Sequence, residues 1–257
     1  MLRNVFLYLV MLHIIGDYYL QNDSLANGKK EDYKKLFMHA GLYLIGAVLL
    51  ILPVWSFNML ICIIISSLLH MVIDGFKFFV TKLIGNIRQS DVKNINVFRK
   101  VHRSLYIIDQ LTHLVSIYIL SYYYVKSGNT IHAVEIFYNT NISMSDFLSF
   151  SVMILLVLKP VNITFRILFS HIKPHETSEN EEEEYQAGKL IGSIERLLTS
   201  VLLLVNQYIA IGLIFTAKSI TRYNKISEDQ KFAEYYLLGT LFSMLSTVVI
   251  YLMLFKL

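Results

Sequence analysis

Three times in its first half the chain sets a histidine and an aspartate four residues apart inside an apolar run: His13 with Asp17, His70 with Asp74 and, in reverse order, Asp109 with His113. Four residues are slightly more than one helical turn, so each pair shares a helical face with an offset of about 40°. Gln21 extends the first row by another four residues, Lys77 follows Asp74 by three, and Gln110 adjoins Asp109. Ionisable side chains within a bilayer are costly unless they are paired, metal-bound or facing a wet cavity. Imidazole and carboxylate together form the ligand set of Zn, Mn or Fe, and i, i+4 pairs on facing helices are how helical bundles build such sites. His13, Asp17, His70, Asp74, Asp109 and His113 are therefore the candidate ligands of a divalent metal. His39 is expected near the cytoplasmic start of its span as a further ligand or a general base, and Asp109 is the other candidate for a catalytic role. The same pairs also suit helix packing through interhelical hydrogen bonds, or a proton path.

These residues need helices to hold them, and the composition supplies helices in a membrane. The 257 residues are 55% hydrophobic and only 16% charged, with a mean hydropathy of +0.52, too apolar for an ordinary soluble domain. Long continuous apolar runs, with few Gly and Pro to interrupt them, exclude the alternating pattern of an outer-membrane barrel. The expected class is all-α, a polytopic transmembrane helical bundle of about eight spans at approximately 4–21, 37–56, 58–80, 101–124, 146–169, 188–205, 206–222 and 235–256. If the short first run is re-entrant, seven spans remain. The first run carries His13 and Asp17 and lacks a small-residue cleavage site, so the N-terminus is expected to be retained. A single Cys, Cys62, rules out a disulfide within the chain.

Basic residues cluster at 22–36 (Lys29, Lys30, Lys34, Lys35), at 81–103 (Lys82, Arg88, Lys93, Arg99, Lys100, Arg103) and at 218–231 (Lys218, Arg222, Lys225, Lys231). Eight spans put all three on one side, the cytoplasmic one by the positive-inside rule, with both termini outside. The net charge of +4 thus reads as orientation, and nucleic-acid binding is not expected. Counting about 1.5 Å per residue inward places the histidines at a depth of roughly 12 to 18 Å and the aspartates at roughly 6 to 12 Å. Spans one and three run inward and span four outward, which explains the reversed order of the third pair.

The chain divides, on this reading, into a four-span half at 1–124 with the His/Asp constellation and a four-span half at 125–257. The latter has a polar outer segment at 125–145 and an acidic loop at 171–187 containing Glu176, Glu179 and Glu181 to Glu184. Gly188 and Gly192, four apart, permit close helix contact. Pro160 interrupts span five beside Lys159 and Asn162, freeing backbone groups and placing a Lys where it needs a partner. Gln21, Lys77, Lys159 and Arg196 are the candidate groups for holding an anionic substrate such as phosphate.

The series His13-xxx-Asp17-xxx-Gln21, His39, His70-xxx-Asp74-xx-Lys77 and Asp109-Gln110-xx-His113 resembles the bacterial membrane proteins of the domain-of-unknown-function 3307 family. The strings GKLIGSIERLL, AIGLIFTAKSITRY and EYYLLGTLFS resemble the C-terminal extension of its longer members. The resemblance implies a polytopic protein of the bacterial inner membrane, with its motif positions on the His and Asp residues above; it implies no reaction. A fold-level similarity to membrane-bound metal-dependent hydrolases with intramembrane His and Asp ligands is an analogy.

The function expected first is a metal-dependent hydrolase, phosphoesterase-like, acting on a membrane lipid or another membrane-associated anionic substrate. A transporter or channel for protons or metal ions would use the same residues. A scaffold binding a cytoplasmic protein partner through its charged loops is the third class, and oligomeric state is not legible.

Overall fold

With no water in the hydrocarbon to satisfy backbone groups, an apolar chain of this kind closes its hydrogen bonds within helices. The computed structural model describes residues 1–29, 32–88, 95–131, 143–169, 172 and 181–257. Every regular element among them is helical: α1 (Leu2–Ile14), a π-helical turn (Ile15–Tyr19), α2 (Asp23–Gly28), α3 (Tyr33–Leu50), a 3-10 turn (Leu52–Val54), α4 (Phe57–Arg88), α5 (Ile95–Lys126), α6 (Met144–Leu158), α7 (Pro160–Phe169), α8 (Glu181–Leu204), α9 (Tyr208–Thr221), α10 (Tyr223–Glu228) and α11 (Gln230–Phe255). The protein is all-α. Among the described residues four helical stretches are long and apolar enough to cross a membrane: Tyr33–Leu50, Phe57–Ile84, Met144–Phe169 and Gln230–Phe255. Along α4 the side chains of Ile61, Ile64, Ile65, Leu68, Val72, Phe76 and Phe79 stand exposed, an apolar face that only lipid or another apolar surface covers without penalty.

Capping and punctuation explain where the helices begin and end. Asp32 accepts from the Lys34 N–H at 2.8 Å and starts α3 at Tyr33, earlier than hydropathy places it. Asp229 does the same for α11 through Phe232 N–H at 3.1 Å. At α6, Ser143 Oγ accepts from Asp146 N–H at 3.0 Å and donates to Asp146 Oδ2 at 2.7 Å. Helices α4 and α5 each run for 32 residues, about 48 Å at 1.5 Å per residue, well beyond a hydrocarbon core of roughly 30 Å. They extend past the expected 58–80 and 101–124 because Lys82 and Lys100 are good helix formers that cost nothing outside the lipid. Residues 181–184 open α8 rather than lying in a loop. Glu176 and Glu179, and most of the expected outer segment at 132–142, lie outside the described residues.

The chain separates into two compact units, Met1–Leu148 and Ser149–Leu257, the division falling within α6. In the first, α1 is the centre. Val5, Leu7, Tyr8, Leu9, Val10, Leu12, His13 and Ile14 are all buried, so the helix is covered on nearly every side. It packs on α5 and α3, while α4 packs on both α3 and α5. In the second unit α8 packs on α11 and α9, and α11 on α7. Leu203, Ile211 and Tyr251 form a core there, and Phe165 gathers Phe169, Tyr235 and Phe242 around it.

Candidate metal centre

Asp17 does not sit on an α-helix but in the π-helical turn that ends α1, a geometry that re-aims a side chain and recurs at functional sites. Gly16 lets Tyr43 pack directly on the turn, because a Cβ there would strike the ring of Tyr43, whose centroid lies 4.0 Å from that of His70. Replacing Gly16 by Ala is expected to push Tyr43 against His70 and cost about 1 to 3 kcal/mol; thermal unfolding of the purified protein measures the loss, and an unchanged midpoint would show that the turn tolerates the methyl group.

Around Asp17 the four helices α1, α3, α4 and α5 bring seven ionisable side chains together. His13, Asp17, His39, His70, Asp74, Asp109 and His113 are each at most 5% exposed. Asp17 Oδ1 lies 3.0 Å from His39 Nε2, 3.1 Å from His70 Nε2 and 3.6 Å from Lys29 Nζ, three donors around one oxygen. Asp74 Oδ2 lies 3.0 Å from Lys29 Nζ and 3.4 Å from His39 Nε2. His13 Nε2 is 3.9 Å from Asp17 Oδ2 and 3.4 Å from Gln110 Oε1. One ligand atom from each of Asp17, His39, His70 and Asp74 lies within 4.8 Å of the others, and the same holds for His13, His70 and His113 and for Asp74, Asp109 and His113. The imidazoles also touch as rings, with His13 stacked on His113 at 4.7 Å and His70 tilted against His113 at 4.5 Å.

Several of these groups are oriented from behind, as metal ligands are. His113 Nδ1 is 2.9 Å from the Asp109 carbonyl oxygen. A carbonyl can only accept, so Nδ1 carries the proton and Nε2 presents its lone pair. Gln110 accepts from Tyr18 Oη at 3.0 Å and donates to Asp109 Oδ2 at 3.1 Å, and Tyr18 meets Tyr106 at 3.1 Å. Five buried atoms in this cluster nonetheless have no hydrogen-bond partner: His13 Nδ1, His70 Nδ1, Asp74 Oδ1, Asp109 Oδ1 and His113 Nε2. Leaving such groups unpaired costs about 1 to 3 kcal/mol each, a density of orphaned lone pairs that suits a bound cation.

Two lysines stand against the carboxylates. Lys77 Nζ lies 2.6 Å from Asp109 Oδ2, and Lys29, from the connection after α2, bridges Asp17 and Asp74. Burial opposes the charge on Lys29, but the two carboxylates outweigh it and raise its proton affinity above the ordinary lysine value, so the ammonium is kept. Lys29 was legible in the sequence only as one of four basic loop residues. Tyr18, Tyr43 and Tyr106 had no signal beyond their place in apolar runs.

The remaining candidates are placed differently. His39 is 1% exposed and lies among the ligand atoms. Gln21 turns back, its amide donating to the Asp17 backbone oxygen, with its own Oε1 buried and without a partner. Arg196 belongs to the second unit, where its guanidinium donates to Val157 O at 2.6 Å, Asn162 Oδ1 at 2.7 Å, Ser243 Oγ at 3.2 Å and Ser193 Oγ at 3.3 Å. It braces the break between α6 and α7, where Pro160 removes a backbone donor. Lys159 is the residue at that break, half-buried, its carbonyl accepting from Ile163 N–H at 3.1 Å.

Residues 5–144, more than half of the chain, match the family described as "Protein of unknown function (DUF3307)". The chain belongs to this family. The DUF3307 match contains all seven clustered residues together with Gln21, Lys29 and Lys77, and ends before Lys159 and Arg196. No curated protein and no solved structure matches the chain.

Proposed function

We propose that this DUF3307 member is a metal-dependent hydrolase of the bacterial inner membrane, phosphoesterase-like, acting on a lipid or another membrane-associated anionic substrate. The observation that carries the reading is the convergence of buried His and Asp ligand atoms from four helices, five of them without a hydrogen-bond partner. A divalent Zn, Mn or Fe bound there would lower the pKa of a water and polarise the scissile bond. The chain's own groups do the rest. Asp17, His39, His70 and Asp74 offer a mixed set of four donors, of which three would hold the ion and leave a position for the water. Gln110 and the Asp109 carbonyl fix the orientation of their neighbours. Lys29 and Lys77 carry the positive charge that an anionic ester needs beside it.

Hydrolysis joins the water oxygen to the phosphorus or acyl carbon and breaks the bond to the leaving oxygen. One of the cluster's carboxylates takes the water's proton, and the leaving oxygen then receives it. The basic segments would face the cytoplasm, within reach of a cytoplasmic protein partner.

The test is turnover by metal-replete protein in lipid nanodiscs, offered anionic phospholipid, a polyprenyl phosphate and a generic phosphoester, with and without chelator. The expected result is product release that chelation stops and metal restores. No turnover of any of them would remove the hydrolase reading, and protein-dependent metal flux into vesicles would reassign the same cluster to transport.

A further inference from the structure

We infer that the cluster is two adjoining cation positions that share the carboxylate of Asp74, one completed by Asp17, His39 and His70 and the other by Asp109 and His113. The inference rests on the metal-centre reading above and gives that centre a stoichiometry. Its first support is that Asp74 belongs to both groups, with a ligand atom within 4.8 Å of the other three donors in one and of the other two in the other. Its second is how the two oxygens of Asp74 are used. Oδ2 is engaged by Lys29 at 3.0 Å and lies 3.4 Å from His39, whereas Oδ1 is buried with no hydrogen-bond partner.

The other two members of the second group repeat the pattern. Asp109 Oδ2 is taken by Lys77 and Gln110, while Oδ1 is buried and has no partner. His113 commits Nδ1 to a carbonyl and keeps a buried, unpartnered Nε2. Three residues from two helices, α4 and α5, thus each hold one polar atom in reserve, and all three side chains are at most 5% exposed. Hydrogen bonding alone gives no reason for three such atoms to be left over together.

Charge favours this division over the all-imidazole group of His13, His70 and His113. A dication in a poorly polarisable interior is stabilised by carboxylates, which both proposed positions contain and the three neutral rings lack. Each position also has one lysine on its carboxylates, Lys29 on Asp17 and Asp74 and Lys77 on Asp109. With two dications present, the positive charge of the ions and lysines would exceed the three carboxylates, and an anionic substrate would restore the balance. Two neighbouring ions would together stabilise both the attacking and the leaving oxygen of a displacement.

The experiment loads the full-length protein in nanodiscs separately with Mn2+ and Zn2+, removes the excess, and measures metal per chain by mass spectrometry and the Mn2+ electron paramagnetic resonance spectrum. Two ions per chain with an exchange-coupled Mn2+ spectrum are expected in the wild type, and His113→Gln should retain one ion with an isolated-ion spectrum. One ion per wild-type chain with an isolated-ion spectrum would overturn the pair and leave a single metal centre standing. Two ions with isolated-ion spectra would overturn the shared carboxylate. No ion of either kind in wild-type protein that still melts cooperatively would overturn the metal centre itself. The wild-type spectrum decides the question even if His113→Gln does not fold.

Discussion

Asp74→Asn should lower the affinity for divalent metal by more than about 100-fold, the upper end of what is lost when only an outer-shell partner is removed, and should abolish any metal-dependent turnover. Asp74 stands in both carboxylate-containing groups, so its charge serves the whole cluster. The amide is nearly isosteric and can still accept from Lys29 through its oxygen, so packing of α4 against α3 and α5 is expected to persist. Metal titration followed by mass spectrometry, beside a melting curve, separates the two effects. Wild-type affinity in the Asn variant would show that Asp74 serves packing alone.

Lys29→Met should produce the largest change in stability, and one that depends on metal. Without metal, Asp17 and Asp74 lose the ammonium that lies 3.6 and 3.0 Å from them. Breaking a buried ion pair from one side costs about 3 to 5 kcal/mol. A divalent ion among the same carboxylates would take over the neutralising role, and a ligand that binds only the folded state stabilises it by mass action. Added Mn2+ is therefore expected to raise the melting temperature of Lys29→Met more than that of the wild type. Equal shifts in the two proteins would show that Lys29 and the metal do not share these carboxylates.

The two positions contrast in how visible they were. Asp74 follows His70 at a spacing that a helix turns into a shared face, so its partner could be read along one element. Lys29 sits in a connection, with no period to relate it to Asp74, which is 45 residues away. Arg196 shows the opposite contrast. A cation in an apolar run looked suited to a substrate anion, yet its donors go to Val157, Asn162, Ser193 and Ser243 around the Pro160 break. The π-helical turn at Asp17 was equally hidden, since Ile15 to Tyr19 have no composition that distinguishes it from one more α-helical turn.

Local pattern along the chain was enough to establish that it is helical and apolar enough for a membrane, and which histidines and aspartates share helical faces. Both follow from local quantities, hydropathy summed over a run and a rotation of 100° per residue. It took the packing of helix on helix to enclose α1 among its neighbours, to bring Asp17, His39, His70 and Asp74 together from two helices and a π-helical turn, and to close Lys29 on their carboxylates. Those facts depend on which faces pack together, and in a membrane many apolar faces are interchangeable. What distinguishes them is the shape and hydrogen bonding of buried groups such as Gly16, Tyr43 and Gln110, which act between helices and leave no period along any one of them.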